Sequence, residues 1–233
     1  MNVQKFGIGA SALRKEDVAL LKGGGRFTDD YRVEGVLHGF VLRSPHAHAR
    51  FSITSTEAAR AAEGVHLVLT GEDVRDLGDV PNKQQVKQPD GTIHPRREAP
   101  VLCRDIARHS GDAVAFIVAE SREVAEDAAE LIEIDWEGLD AQIDLATALD
   151  EEAPLVWGDL GTNQAYLYQI GDAERTGAAF ARAVRTVDLR VVNNRIIAHY
   201  VEPRAAVAEY DSSTDSFTLH LPSQGVHALR DIL

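Results

Sequence analysis

The stretch GDAVAFIVAESREVAEDAAELIEIDWE, residues 111–137, decides the fold. Its apolar opening predicts a strand over 112–118. Ser121 then offers a side-chain oxygen to start a helix over about 121–130, and a second strand follows over 131–136. The same order occurs earlier in FSITSTEAARAAEGVHLVLTGEDV, residues 51–74. There, β-branched residues occupy 51–54, an Ala-rich helix has Thr56 as its N-cap candidate and Gly64 as its stop, and Val65–Thr70 forms the next strand. Two strand–helix–strand units predict a mixed sheet with helices laid on it, because each helix has one apolar stripe to bury.

Outward from these units the pattern weakens. Residues 1–14 are rich in small residues without a period and read as an extended arm. A short helix, with Leu13, Val18, Leu20 and Leu21 on its apolar side, ends at Gly23-Gly24-Gly25. GVLHGFVLRSP, residues 35–45, reads as a strand stopped by Ser44-Pro45. Between the two units, residues 81–97 form a long loop with an Asp90-Gly91 turn, and its Lys83, Lys87, Arg96 and Arg97 make a basic island. That island is a solvated excursion, a docking surface or the rim of a channel.

From residue 137 to 163, turn formers replace periodicity, so a domain boundary is expected near 140–155. Beyond it, GAAFARAV (177–184) predicts a short helix and RTVDLRVVNNRIIAHYV (185–201) a long strand. A hairpin over 205–221 then turns at 211–215, and a fresh helical start follows Pro222-Ser223-Gln224-Gly225. Such a β-rich region would leave strand edges open after residue 221, so the reading expects a domain cut short, prone to self-association through uncovered strands.

The composition narrows the function classes. Thirty-seven acidic against 24 basic residues give a formal charge of −13, which argues against nucleic acid and anionic lipid as partners. Cys103 is the single cysteine, so the chain alone can hold neither a disulfide nor an iron–sulfur cluster, a usage that fits the cytoplasm. No apolar run approaches the length of a membrane helix.

Several residues invite chemistry. His46 and His48 in SPHAHAR have a usable metal-ligand spacing, yet no local carboxylate completes a site, which favours hydrogen bonding at a strand end. KGGGRFTDD lacks the ending of a phosphate loop and reads as a turn, with Asp29-Asp30 as a cap or a weak cation site. Cys103 stands beside Arg104 and reads as a buried, inert thiol. In HYVEPRAAVAEY, Glu202 and Arg204 flank Pro203 between apolar stretches, where a charged group needs a partner.

Six segments taken in order carry a resemblance: ALRKEDVALLKGGGRFTDDY, LHGFVLRSPHAHARFSI, GVHLVLTGEDV, the 111–137 stretch, APLVWGDLGTNQ, and YVEPRAAVAEYD with FTLHLPSQGVHALRDIL. Together they resemble the N-terminal part of the molybdopterin-binding large subunit of the xanthine dehydrogenase, aldehyde oxidase and carbon monoxide dehydrogenase family. The resemblance implies an α+β fold: an α/β-hammerhead domain over 15–140, a linker over 141–160, and over 161–233 a truncated, β-rich start of the molybdopterin-binding domain. It implies an N-terminal fragment or split part of a molybdenum hydroxylase, inactive alone, whose intact enzyme hydroxylates an aldehyde or N-heterocycle. Its implied partners are the remaining part of the molybdopterin subunit, a small Fe–S subunit, a medium FAD subunit and a small-molecule substrate. Gln224 matches the family glutamine that donates a hydrogen bond to an oxo ligand of molybdenum, while Glu202, Pro203 and Arg204 match a motif of structural role. No catalytic base and no metal ligand carries over, and no cofactor is expected on this chain alone. A non-catalytic hammerhead scaffold that binds a partner is the competing reading.

Overall fold

The computed structural model describes residues 14–81, 86–93, 97, 99–194, 196–200 and 202–233; most of the predicted N-terminal arm lies outside them. Along the chain run α1 (Asp17–Leu21), β1 (His38–Arg43), β2 (Ala49–Ser55), α2 (Glu57–Ala61), β3 (Val65–Thr70), β4 (Asp79–Val80), β5 (Ala99–Pro100) and β6 (Ile106–Ala107). After these come β7 (Ala113–Ala119), α3 (Arg122–Glu130), β8 (Glu133–Gly138), α4 (Ala173–Ala181), β9 (Val207–Asp211), β10 (Ser216–His220) and α5 (Val226–Arg230). Two compact units form: one is Gly35–Arg190, and the other joins the chain up to Glu34 with Val191–Asp231.

The larger unit holds two three-stranded sheets, ordered β1-β7-β3 and β6-β2-β8. Every pairing in them is antiparallel, not mixed as predicted. The reason lies in the two strand–helix–strand units: β2 and β3 belong to different sheets, as do β7 and β8. A helix that carries the chain from one sheet to another imposes no parallel crossover, which is required only when both strands share a sheet.

β7 is the centre of the first sheet, with His38 opposite Ala119 on one side and Val68 opposite Ile117 on the other. Both its faces are covered, and Val114, Ala115, Ile117 and Ala119 are fully buried. Helix α3 lays Ala125, Ala128 and Ala129 on this sheet, in one cluster with Ala59, Val68 and Ile117. Burying an Ile side chain such as Ile117 contributes about 1.5–3 kcal/mol to the stability of the unit. A second cluster joins Phe51, Cys103, Ala107 and Val114, with Trp136 packed beside it.

Local signals act largely as read. The Ser121 hydroxyl accepts a hydrogen bond from the Val124 N–H at 3.2 Å and caps α3. Thr56 stands at the start of α2 without that bond; the Ser55 hydroxyl accepts from the Glu57 N–H instead, and Thr56 Oγ1 takes the Arg60 guanidinium. Gly64 ends the segment at φ +80°, a conformation that costs glycine little. Helix α4 starts before the predicted 177 because Asp172 accepts from the Arg175 N–H, a cap the reading overlooked.

In the smaller unit the glycines after α1 do what a turn needs: the Gly23 and Gly24 N–H groups donate to the Leu20 and Ala19 carbonyls. The predicted hairpin is present as β9 and β10, in register from Ser216–Asp211 to His220–Val207. Asp211 accepts from the Ser213 N–H and hydroxyl and from Thr214, which closes the turn. The long strand predicted over 185–201 is corrected. Its described residues belong to no helix or strand, and Val187, Leu189 and Ile196 are each more than four-fifths exposed. A strand needs a neighbour for its backbone N–H and C=O groups, and no described strand pairs with this segment. Among the described residues no helix is long and apolar enough to cross a membrane.

Candidate functional site

The hairpin positions the one residue singled out for a cofactor. Beyond β10 the chain turns through Pro222, Ser223, Gln224 and Gly225 into α5, and the Ser223 hydroxyl accepts from the Gly225 N–H at 2.9 Å. Gln224 stands exposed in this turn. Within the same unit, the Glu202 carboxylate accepts from the Thr28 N–H at 3.2 Å and from the Thr28 hydroxyl at 3.4 Å. Thr28 is buried, and its two donors supply the partner the Glu202 charge demands while tying the segment before the hairpin to Thr28. Pro203 and Arg204 are exposed. At the hairpin's far end, His220 Nε2 lies 3.0 Å from a Glu209 carboxylate oxygen, and its ring is 4.6 Å from that of Tyr31.

The other sequence candidates take structural places. His48 Nδ1 lies 2.9 Å from the Asp140 carbonyl. A carbonyl only accepts, so Nδ1 carries the proton, and the buried Nε2 has no hydrogen-bond partner among the described residues. His46 packs its ring 5.0 Å from Trp136. Among the described residues no group of three His, Cys, Asp or Glu could hold a metal ion. Asp30 accepts from the Phe27 N–H, which makes the Asp29-Asp30 pair a cap. Cys103 is buried, and burial followed by the neighbouring Asp112 charge pushes its thiol up to about 11, far from a reactive thiolate.

The basic island resolves into unlike parts. Lys83 and Arg96 lie outside the described residues, and Lys87 bridges to Ile93 across the Asp90-Gly91 turn. Arg97 pairs with Asp159 and stands over the Trp157 ring at 5.8 Å. On the same ring Arg108 stacks at 3.7 Å. The sequence reading overlooked Arg108 and Trp157, since no periodicity links two residues so far apart in the chain.

Two family models match. One, described as aldehyde oxidase and xanthine dehydrogenase, a/b hammerhead domain, covers residues 22–140, just over half of the chain. The chain belongs to this family. The second, a molybdopterin cofactor-binding domain, covers residues 158–233. Among the family's members, the carbon monoxide dehydrogenase large chain of Afipia carboxidovorans is 31% identical over 239 residues, which are 97% of this chain and 28% of that protein. The nicotine 6-hydroxylase large subunit of Paenarthrobacter nicotinovorans is also 31% identical, over 96% of this chain and 27% of its own length. The crystal structure of quinoline 2-oxidoreductase from Pseudomonas putida 86 superposes with a TM-score of 0.78 at 33% identity, covering 96% of this chain and 28% of that one. This chain therefore spans little more than a quarter of the length of these relatives.

Proposed function

We propose that the chain is the N-terminal part of the large subunit of a molybdenum hydroxylase, an oxidoreductase that hydroxylates an aldehyde or N-heterocycle. Electrons leave through a small Fe–S subunit and a medium FAD subunit in the cytoplasm. The observation that carries this reading is the ordered match of hammerhead and cofactor-binding families, at 22–140 and 158–233. On this reading 1–14 is an extended arm, 15–140 the hammerhead domain, 141–160 a linker and 161–233 the first segment of the molybdopterin-binding domain. Further polypeptide supplies the rest of the subunit, and without it the chain neither retains the cofactor nor turns over substrate. The short span against its relatives supports that reading, as do the exposed apolar side chains between Val184 and Ile197.

The bound molybdenum cofactor supplies the redox chemistry of the hydroxylation. Gln224 is this chain's contribution to holding it. Its carboxamide carries two N–H donors and stands exposed in a turn held by the Ser223–Gly225 hydrogen bond, which fits a donor role. From there it would donate a hydrogen bond to the bound group and help to polarise it. Thr28 and Glu202 anchor the segment that enters the hairpin.

The test is molybdenum and pterin content of the chain purified after co-expression with its neighbouring genes, compared with the chain expressed alone. Metal and pterin in the co-purified complex only are expected. Neither in both preparations would leave a non-catalytic scaffold. In an active complex, Gln224→Leu should lower kcat about 10–100-fold while the metal stays bound; an unchanged kcat would remove Gln224 from the site.

A further inference from the structure

A cleft of about 450 Å³ in the larger unit is lined by Asp79, Arg97, Arg104, Asp105, Arg108 and Trp157, among others. Its volume lies in the range of sites that enclose small molecules. Two of its three guanidinium groups are committed: Arg97 to Asp159, and Arg104 to Asp79 at 3.0 Å. Arg108 differs. One face of its guanidinium lies over the Trp157 indole, 3.7 Å from the ring centre, and its Nε is buried without a hydrogen-bond partner among the described residues. Asp112, the carboxylate next along the chain, already accepts from the Arg108 and His109 N–H groups at 2.6 and 3.2 Å. Asp105 acts on Arg108 through its charge, and no hydrogen bond joins the two side chains among the described residues. Burial weakens the hold of Arg108 on its proton, a sign of a cation poorly compensated by its surroundings.

With its face covered, Arg108 has only its in-plane N–H edge left, the geometry that binds a carboxylate with two parallel hydrogen bonds. Local charge narrows the choice further. With Arg97 paired to Asp159 and Arg104 to Asp79, Arg108 is the one guanidinium of this lining without a side-chain ion pair among the described residues, so a single negative charge matches it better than a phosphate dianion, which would also meet the neighbouring carboxylates. We propose that this cleft is a binding site for an organic monocarboxylate, held by the edge of Arg108 with Trp157 orienting the guanidinium.

Sodium benzoate titrated into the 233-residue chain at pH 7 tests the proposal by NMR. The two tryptophans give two indole N–H resonances, assigned through Trp157→Phe, and Trp136 serves as the internal reference. Benzoate should shift the Trp157 signal saturably and leave that of Trp136 in place, while inorganic phosphate at equal concentration shifts neither. Arg108→Gln should weaken benzoate binding by about tenfold or more. If that variant does not fold, Arg97→Gln carries the same test. Its side chain is 41% exposed, and its loss leaves the cleft with surplus negative charge, so benzoate should again bind more weakly. The absence of a saturable Trp157 shift, equal binding of phosphate, or benzoate affinity unchanged in the folded variant would each overturn the proposal.

Discussion

Asp73 shows how one side chain sets a pH dependence. It sits in the turn after β3, where its carboxylate accepts from the Thr70 N–H at 2.7 Å, from the Thr70 hydroxyl at 2.8 Å and from Arg60 at 3.3 Å. The Thr70 N–H is the largest influence, and together these donors hold the acid below its ordinary 3.8. Folding therefore favours the ionised form. The stabilisation is complete above 3.8 and disappears as pH falls through the lower native value. Asp73→Asn should accordingly be less stable than the parent in urea at pH 7, with the difference shrinking to nothing in acid; a constant difference would show that the charge is not what matters. Cys103 has the opposite sign. Its thiol is raised from 9.0 to about 11, so the buried neutral form stabilises the fold fully below 9.0 and loses that effect as pH rises through the native value. At pH 8 a disulfide reagent should label Cys103 at the rate of unfolding and not at the rate of a free thiol; immediate labelling of the native chain would place it at the surface. The inertness of this thiol was legible in the sequence, whereas its cause, the packing with Phe51, Ala107 and Val114, was not.

Among the elements, those written in adjacent residues were legible and those that depend on a distant neighbour were not. β7, α3 and β8 carry their own periodicity, and the Ser121 cap is a property of four consecutive residues. The strand expected over 185–201 has equally apolar residues, but pairing is a relation between segments, and the segment's own sequence contains no information about its neighbour. The same limit applies to the two sheets: a strand–helix–strand pattern states that the three elements follow one another, not that both strands enter one sheet. The caps offer a controlled comparison. Ser121→Ala removes an observed hydrogen bond and should cost about 1 kcal/mol, read from the urea midpoint at constant slope. Thr56→Ala removes no cap bond and should cost less than half as much, chiefly through the Arg60 contact. Equal losses would mean that helix propensity and not capping sets both values.

Over the whole molecule, the sequence read the hammerhead family and the turn carrying Gln224, because both rest on contiguous motifs; the cleft at Arg108 rests on contacts between remote residues and could not be read. The exposed segment between Val184 and Ile197 governs behaviour in solution. Val184, Val187, Leu189, Val191 and Val192 are each more than 70% exposed, well beyond what scattered surface apolar residues explain. The isolated chain should bind a hydrophobic dye and sediment with a mass that rises with concentration, and Val187→Ser with Leu189→Ser should reduce both. A concentration-independent monomer that ignores the dye would show the segment to be covered. The central place of β7 has a consequence for how the protein is made. Both of its partners, β1 and β3, precede it in the chain, and Ala119 is synthesised 49 residues after Thr70. At about 5–20 residues per second, the ribosome exposes two finished strands for roughly 2–10 s before the strand that joins them exists. During that interval each offers an open edge to other nascent chains, so yield should depend on the speed of translation between codons 71 and 119 and on holding chaperones more than on the stability of the completed fold.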